Sequence, residues 1–339
     1  MNRRLREHYR MDAESKVLVA GGTGLIGANL VRRLVKLGVT PRVTYHSKRP
    51  VIADDRIEYV HADLTSFESC RKVVEEIDCV FMCAASTSGA GTIASNPLIH
   101  VTPNIVMNSR MLEASYSGGV RKFVWMSSSV GYPPSGDRPV KEEEFFDNDP
   151  PDVYFASGWM KRYTEILCKM YAEKLEKRMA VVVLRPSNIY GPYDKFDFET
   201  SHVTAAMIRK VVERIDPLVV WGNGKDVRDV IYIDDFIDAM LLATEKIDSF
   251  NPLNVAKGEG IAVKELLNTI LRIDGYDNAR VVCDESKPSM IPKRLIDVKK
   301  AENILGFRAK TSLVDGLSMT IDWYRHNAER RDSRNLKAR

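Results

Sequence analysis

The sequence predicts an α/β protein with a doubly wound parallel sheet and a smaller α/β lobe on its C-terminal side. Three observations support this fold class. Strand and helix patterns alternate along the first 190 residues. Predicted strands such as Cys79 to Ser86 are apolar throughout, which is typical of strands buried on both faces of a parallel sheet. A glycine-rich turn joins the first strand to the first helix. Together these features indicate the Rossmann arrangement.

The individual elements follow from the spacing of apolar residues. The first strand is the apolar run Val17 to Ala20, and the helix after the turn has apolar residues at helical spacing from Ile26 to Leu34. Further strands are predicted at residues 41–46, 56–64, 79–86, 122–126 and 179–191, with helices at 70–77, 102–116 and 159–175. This succession predicts a doubly wound α/β sheet.

The pattern becomes less regular after about residue 191. Short strands are predicted at 218–221 and 280–283, and helices at 203–213, 235–246 and 263–273. We predict a Rossmann domain over residues 14–190 with roughly 230–258, a smaller lobe over 191–229 and 259–326, and basic, poorly ordered tails at 1–13 and 327–339.

Composition excludes several classes of function. The net charge of +4 owes much to the two basic ends, so it does not indicate a nucleic-acid partner. No apolar run approaches the roughly twenty residues that span a bilayer, so no membrane association is expected. The five cysteines are scattered without metal-site spacing, which predicts buried free thiols, no bound metal and a cytoplasmic location.

The glycine-rich turn predicts a dinucleotide site. Gly21, Gly24 and Gly27 form a GxxGxxG pattern between strand and helix. Glycines there allow a tight turn and let a phosphate approach the free N–H groups and the positive dipole end of the helix. The alternative is a turn without a ligand, which the flanking strand and helix argue against. The expected contacts are Gly21, Thr23, Gly24, Leu25, Ile26 and Gly27.

The end of the second strand bears on which dinucleotide binds. NAD-binding proteins commonly have an acidic residue there to hold the ribose hydroxyls. Here the strand ends in Tyr45 and is followed by His46, Ser47, Lys48 and Arg49. A hydroxyl and two cations suit a 2′-phosphate, which favours NADP over NAD. A solvated basic loop is the alternative, so NAD stays possible.

Several segments together resemble one family. "GGTGLIG", "HADL", "CAAS", "SSSVGYP", "GWMKRYTE", "RPSNIYGP" and "RDVIYIDD" occur in the order and spacing of the extended short-chain dehydrogenase/reductase family, from about Val17 to Trp323. That family comprises NAD(P)-dependent nucleotide-sugar epimerases, dehydratases and reductases. Within it, "FETSHVTAAMIRK", "LVVWGNGKDVRD" and "VVCDESKPSMIPKRLIDVKKAENILGF" are most similar to GDP-L-fucose synthases, which epimerise and then reduce a GDP-4-keto-6-deoxyhexose with NADPH.

The resemblance implies further cofactor contacts and a subunit interface. Asp63 would lie beside the adenine, although a helix N-cap is its alternative role. The other implied cofactor contacts are Leu64, Ala84, Ala85, Asn104, Lys161, Pro186 and Asn188. Helices near residues 104–116 and 159–175 usually form a dimer interface in this family, so a homodimer is expected.

The resemblance places Ser128 and Lys161 in the catalytic site, but the expected tyrosine is missing. In the family's YxxxK pattern a tyrosine stands four residues before the lysine, where this chain has Ser157. An aliphatic hydroxyl is a much weaker acid than a phenol. Tyr154 lies two helical turns before Lys161, on the same face if the helix extends that far. The phenol of Tyr154 could therefore replace that of the tyrosine expected at position 157. The alternative is that the ordinary hydride chemistry is impaired or uses a group of the substrate.

A second departure concerns epimerisation. Fucose synthases use a cysteine two residues after the catalytic serine and a histidine in the "SHV" segment. Val130 stands at the cysteine position, whereas His202 matches the histidine. Valine cannot transfer a proton, so epimerisation by that pair of groups is doubtful. A structural histidine at a helix N-terminus is the alternative for His202.

The resemblance also implies a substrate site. Asn188 and Arg228 would bind the sugar and the nucleotide diphosphate, where a guanidinium suits a bidentate contact. Core packing is the alternative for Trp221. The full expected set is Ser128, Asn188, His202, Lys210, Trp221, Arg228 and Lys287.

Three functions follow as hypotheses. The first is NADP-dependent reduction at C4 of a nucleotide-activated 4-keto sugar, expected to be GDP-linked, with or without epimerisation. The second is a nucleotide-sugar 4-epimerase or dehydratase that recycles a tightly held NAD(P). The third, suggested by Ser157, is a catalytically silent nucleotide-binding protein.

Overall fold

Strands and helices alternate as far as residue 190, except that two strands follow each other directly within residues 42–61 and within residues 180–190. The computed structural model describes residues 12–87, 96, 98–198, 200–286 and 291–337, with side chains up to residue 327. In chain order the elements are β1 (Val17–Ala20), α1 (Leu25–Lys36), β2 (Arg42–Tyr45), β3 (Glu58–His61), α2 (Phe67–Val73), β4 (Cys79–Met82), α3 (Leu98–Ser117), β5 (Lys122–Met126), α4 (Phe155–Glu173), β6 (Ala180–Pro186), β7 (Asn188–Tyr190), α5 (Val203–Val212), β8 (Leu218–Trp221), β9 (Val227–Tyr232), α6 (Ile233–Lys246), β10 (Asn251–Val255), β11 (Gly260–Ala262), α7 (Val263–Asp274), β12 (Val281–Asp284), β13 (Lys293–Arg294), α8 (Lys299–Leu305) and α9 (Leu313–Lys337).

Seven parallel strands form the central sheet, in the order β10-β6-β5-β4-β1-β2-β3. Successive side chains of β1 enter apolar cores on opposite faces: Val17 and Val19 on one side, Leu18 and Ala20 on the other. This explains the uniformly apolar strand sequences, because both faces of the sheet are covered. The predicted fold class, a doubly wound α/β sheet, is confirmed.

The strand order reverses beside β1, because the chain runs through β2 and β3 on one side and then crosses to β4 on the other. In open α/β sheets, ligands bind outside the carboxyl ends of the strands at such a reversal. We call this border of the central sheet the carboxyl edge. The glycine turn after β1 and the segments after β4 and β5 all lie along it.

The remaining strands form two small sheets. β9 pairs with β7, β11 and β13, and β8 pairs with β12. β10 adds to the edge of the central sheet beside β6, although it follows β9 in the chain. The domain boundaries inferred from the sequence stay a prediction. Residues 327–337 of the basic C-terminal tail continue α9, and residues 1–11 and 338–339 lie outside the described part.

Two details differ from the sequence-based predictions. α4 begins at Phe155 with Tyr154 as its N-cap, and a 3-10 turn over Asp152–Tyr154 leads directly into it. The N-cap of α2 is Ser66, whose hydroxyl accepts a hydrogen bond from the Ser69 amide at 3.4 Å, so the capping role considered for Asp63 is wrong. Asp63 instead accepts hydrogen bonds from the amide and hydroxyl of Thr65, at 2.9 and 2.7 Å.

The described residues contain five free cysteines, of which Cys70, Cys79 and Cys168 are buried. Cys83 is half-buried and Cys283 is exposed, so the prediction that all five thiols are buried is wrong. Among the described residues, no helix is long and apolar enough to cross a membrane.

Candidate functional site

The glycine turn packs tightly against the neighbouring strands. Gly21 has a positive φ of 81°, and a Cβ there would lie 2.5 Å from Cα of Ala84 in the segment after β4. A Cβ on Gly27 would lie 2.2 Å from the Gly21 carbonyl oxygen. The Gly21 amide donates to the Thr44 hydroxyl at 2.9 Å, which fixes the turn against β2. Only glycine suits these two positions.

The N-terminus of α1 fits a phosphate group. Its N-cap is Gly24, and no described atom lies within 4 Å of where a Cβ on Gly24 would be. Within the described chain, α1 has neither a side-chain cap nor an acidic residue in its first turn. Its free N–H groups and dipole therefore face open space, with Thr23, Leu25 and Ile26 partly exposed beside them. The turn can hold the diphosphate of a dinucleotide.

Basic and aromatic side chains follow β2 and β3. His46, Ser47, Lys48 and Arg49 are exposed at the end of β2. Beyond β3, Asp63 is exposed and Leu64 is buried. Hydrogen bonds from Thr65 are the main cause that lowers the pKa of Asp63, with His46 and His61 adding to it. Asp63 is thus accessible as an ionised acceptor.

Asn104 supports the segment after β4 through hydrogen bonds to its backbone. Ala84 and Ala85 in that segment are partly exposed beside the glycine turn. Asn104 accepts from the Ser86 amide at 2.9 Å and donates to the carbonyls of Ser86 and His100 at 2.9 and 2.7 Å. Both amide hydrogens of Asn104 are therefore used within the protein. The structure makes it a support of this segment rather than a free donor.

Lys161 and Ser128 meet at the carboxyl end of β5. The Lys161 ammonium donates to the Met126 carbonyl at 2.8 Å and lies 4.8 Å from the centre of the Trp125 ring. Ser128 follows two residues after Met126, and its hydroxyl accepts from the Val130 amide at 3.3 Å. Burial lowers the pKa of Lys161 to about 8, although the charge of Glu165 opposes that change. An amine with such a pKa can act as an acid near neutrality.

Ser157 and Tyr154 occupy different surroundings. Ser157 lies one turn before Lys161 on α4, and its hydroxyl donates to the Tyr154 carbonyl at 3.2 Å. Burial raises the pKa of the Tyr154 phenol, and the positive charges of Arg228 and Arg294 oppose that rise. The phenol therefore lies within range of the charges of the arginines of β9 and β13, and its residue is the N-cap of α4.

A buried polar network supports residues 127–133, which contain Ser128 and which we call the catalytic segment. Glu165 accepts from the Ser127 hydroxyl at 2.5 Å and receives a two-pronged contact from Arg185, at 2.9 and 2.6 Å. Arg185 also donates to the Tyr132 hydroxyl at 2.9 Å, which in turn donates to Asn254 at 2.6 Å. The network joins α4, the end of β5, β6 and β10. It fixes the helix of Lys161 against the segment of Ser128.

Two arginines from adjacent strands lie near the Tyr154 phenol. Arg228 of β9 and Arg294 of β13 are register partners. Arg228 pairs with Asp226 at 3.0 Å, and Arg294 donates to the carbonyls of Pro133 and Tyr132 at 2.9 and 3.1 Å. Burial lowers the pKa of Arg294 to about 10. Its Nε is buried without a hydrogen-bond partner among the described residues.

Sequence reasoning missed Arg294. Its signal is a cation inside the segment "PKRLID", but only the pairing of β13 with β9 shows that it stands beside Arg228. Two neighbouring guanidinium groups next to a phenol suit the oxygens of a diphosphate.

The other predicted substrate residues are less closely grouped. His202 is the N-cap of α5 and has an exposed side chain. Desolvation by the surrounding protein and the positive charge of Lys195 lower the pKa of its imidazole. Lys210 donates to the Val219 carbonyl at 3.0 Å, and Asn188 donates to the Asp229 carbonyl at 3.0 Å.

Three predicted residues remain. Trp221 is 44 % exposed, so the core-packing alternative is wrong for it. Pro186 is buried at the end of β6, and Lys287 lies outside the described residues. Within the described part of the chain, no cluster of three His, Cys, Asp or Glu side chains could hold a metal ion.

The chain is similar to a known protein family and to several characterised proteins over most of its length. The model of the NAD dependent epimerase/dehydratase family matches residues 17–256. A putative GDP-L-fucose synthase 2 of Arabidopsis thaliana is 29 % identical over 326 residues, which cover 94 % of each chain. UDP-glucose 4-epimerase of Thermotoga maritima, solved with UDP-glucose, is 27 % identical with a TM-score of 0.82, covering 92 % of this chain and 99 % of that one.

A further solved relative contains a cofactor. UDP-glucuronic acid 4-epimerase of Bacillus cereus, solved with UDP-glucuronic acid and NAD, is 25 % identical with a TM-score of 0.80. The two chains match over 92 % of this protein and 99 % of the epimerase.

Proposed function

The chain belongs to the NAD dependent epimerase/dehydratase family, and we propose that it reduces C4 of a GDP-linked 4-keto sugar with NADPH. It is an NAD(P)-dependent nucleotide-sugar enzyme of the extended short-chain dehydrogenase/reductase type. The observation that supports reduction most directly is the hydrogen bond from Lys161 to the Met126 carbonyl, which places the ammonium at the carboxyl end of β5, two residues before Ser128.

The proposed chemistry assigns one task to each side chain. The Ser128 hydroxyl donates a hydrogen bond to the sugar carbonyl oxygen, and the Lys161 cation stabilises the negative charge that develops there. The nicotinamide, when bound, supplies the hydride that C4 accepts. The oxygen then needs one proton, which we assign to Lys161 because its pKa of about 8 makes it a far stronger acid than the hydroxyls of Ser128 or Ser157. The products are a secondary alcohol and the oxidised cofactor.

The proposed site for the diphosphate lies beside Arg228 and Tyr154. Arg228 and the Tyr154 phenol offer charge-assisted hydrogen bonds to the diphosphate, and the buried Arg294 adds positive charge beside them. Similarity to a GDP-L-fucose synthase supports a guanine nucleotide. The basic sequence His46-Ser47-Lys48-Arg49 supports NADP, whereas the NAD bound in the Bacillus cereus epimerase supports NAD as the second candidate.

The position of Val130 separates reduction from epimerisation. His202 has no cysteine partner, because Val130 stands two residues after Ser128. We therefore propose reduction without the preceding epimerisation. The second candidate is a 4-epimerase that recycles its cofactor, which the similarity to the Thermotoga maritima enzyme favours.

Stoichiometry of cofactor use tests the proposal. Purified protein is mixed with NADPH and a GDP-4-keto-6-deoxyhexose, and NADPH absorbance and the sugar product are measured together. One NADPH oxidised per alcohol formed is the expected result. Lys161→Ala should abolish turnover and weaken NADPH binding, whereas Lys169→Ala, an exposed lysine of the same helix, should not. Sugar conversion without NADPH loss supports the epimerase; binding without conversion supports a silent nucleotide-binding protein.

We also propose a homodimer formed through α3 and α4. Phe155, Trp159, Tyr163 and Ile166 expose their side chains along α4, at the spacing of one helical face. Leu98 and Ile99 are exposed at the start of α3. A contiguous exposed apolar face of this kind indicates a protein contact. Ile166→Glu should convert a dimer to a monomer in light scattering, and Val314→Glu, at an equally exposed position on α9, should leave the dimer intact.

A further inference from the structure

The short segment after β7, residues 192–195, joins two parts of the carboxyl edge. Its Pro192 carbonyl accepts a hydrogen bond from the side-chain amide of Asn29 on α1 at 2.8 Å. At the other end of the segment, the Lys195 ammonium donates to the carbonyl and the hydroxyl of Thr87, at 2.5 and 2.8 Å. Thr87 belongs to the segment after β4. The side chain of Lys195 therefore connects the segment after β7 with the segment after β4.

Both attachment points lie beside the glycine turn. Asn29 is in the second turn of α1, the helix whose N-terminus faces open space. Thr87 comes three residues after Ala84, the residue that a Cβ on Gly21 would meet. The segment that carries Lys195 thus passes from α1 to the far side of the glycine turn. Its ammonium borders the place where the turn can hold a diphosphate.

The surroundings of Lys195 leave its ammonium able to bind an anion. The side chain is half-buried, and burial followed by the charge of Lys48 lowers its pKa. Asp197 and Asp194 oppose that change. Asp194 accepts from the backbone amide of Lys195 at 2.7 Å. Within the described part of the chain, the ammonium makes its two hydrogen bonds to Thr87, and an ammonium has three hydrogens, so one is left for a ligand.

We propose that Lys195 is a further cofactor-binding residue, whose ammonium keeps its contact with Thr87 and donates its third hydrogen to the diphosphate of the dinucleotide. The inference rests on the dinucleotide-binding part of the proposed function and is independent of the reduction. The diphosphate is common to NAD and NADP, whereas the 2′-phosphate belongs to NADP alone. Lys195 therefore strengthens the binding of both cofactors, while Lys48 in the basic loop selects between them.

Cofactor binding without any sugar tests the proposal. Dissociation constants for NADPH and NADH are measured by cofactor fluorescence with the unmodified protein and with Lys195→Gln. Glutamine keeps a hydrogen-bond donor for Thr87 but has no charge. Loss of one charge-assisted hydrogen bond corresponds to about a 10- to 100-fold increase in dissociation constant. We expect an increase of at least about tenfold, by the same factor for both cofactors.

Two control variants and a second ligand make the test specific. Lys48→Gln should weaken NADPH binding and leave NADH binding nearly unchanged, because only NADPH has the 2′-phosphate. Lys36→Gln, at an exposed position at the opposite end of α1, should change neither. GDP stands for the diphosphate of the substrate, whose proposed site lies beside Arg228. Lys195→Gln should bind GDP as tightly as the unmodified protein does, whereas Arg228→Ala should bind it more weakly.

The outcomes separate this inference from the proposed function. Unchanged dissociation constants for both cofactors in Lys195→Gln overturn it. A loss confined to NADPH also overturns it, because the ammonium would then act on the 2′-phosphate, and so does a loss of GDP affinity as large as that of NADH. Equal losses for both cofactors in a protein that reduces no sugar support Lys195 and overturn the reductase. Failure of the unmodified protein to bind either cofactor overturns both.

Discussion

The ion pair between Glu165 and Arg185 links the stability of the protein to the geometry of its catalytic segment. Both side chains are fully enclosed, at 0 % and 2 % exposure, and they make two hydrogen bonds at 2.9 and 2.6 Å. Arg185 also packs 3.7 Å from the Phe145 ring centre. Glu165→Gln keeps the shape of the side chain but removes its charge. The guanidinium of Arg185 is then left buried without a counter-ion.

The size of the effect follows from this burial. Removing one partner of a buried ion pair costs about 3–5 kcal/mol, because the remaining charge cannot be solvated. Unfolding a chain of 339 residues has an entropy of about 0.7 kcal/mol per kelvin, so a loss of about 4 kcal/mol lowers Tm by about 6 °C. Adding Arg185→Met removes the unpaired charge, so the double variant should recover part of that loss.

Calorimetry and denaturant unfolding measure both quantities. Glu68→Gln is the matched control, because its pair with Lys72 is 73 % and 69 % exposed and should be worth less than about 1 kcal/mol. Glu165→Gln should also lower kcat, since the network positions Lys161 against Ser128. A free energy of unfolding that changes no more for Glu165→Gln than for Glu68→Gln would refute the reasoning.

Three further predictions concern the chemistry. The kcat/KM for a 4-keto sugar should fall as pH rises above about 8, because Lys161 then loses its proton. Lys161→Arg should move this decline to higher pH. A pH profile that this variant leaves unchanged would exclude Lys161 as the proton donor. Arg228→Ala should raise KM for the nucleotide sugar about 10- to 100-fold, the equivalent of one lost charge-assisted contact, while equal KM values would place the diphosphate elsewhere. Ser157→Tyr should raise kcat at least about tenfold by supplying a phenol; no gain would show that the proton comes from another group.

The fold and the cofactor edge could be predicted from the sequence because their signals are local. The apolar run before Gly21 and the helical spacing after Gly27 lie within one short segment, and each element was expected within a few residues of its place. In the C-terminal part, no strand was predicted at β9, β10, β11 or β13, and no helix at α8 or α9. β11 and β13 have only three and two residues, which is too few for a periodic pattern.

The site was harder to predict where long-range pairing decides it. Arg294 reaches Arg228 only because β13 pairs with β9, which no local pattern indicates. Asp63 looked like a helix cap because capping residues and turn residues are of the same types, but Ser66 holds that position. The position of Tyr154 relative to Lys161 depended on where the helix begins, and the structure places Tyr154 at the N-cap of α4, after a 3-10 turn that apolar spacing does not predict.

Arg294 links the strand of Arg228 to the segment that contains Ser128. Its side chain holds the carbonyls of Tyr132 and Pro133, which end the segment that begins at Ser128, and its strand neighbour is Arg228. A diphosphate that draws on these guanidinium groups therefore also acts on the placement of Ser128. Binding energy from a part of the substrate that does not react can be used at the carbon that does. A truncated sugar without its nucleotide should consequently lose kcat as well as affinity.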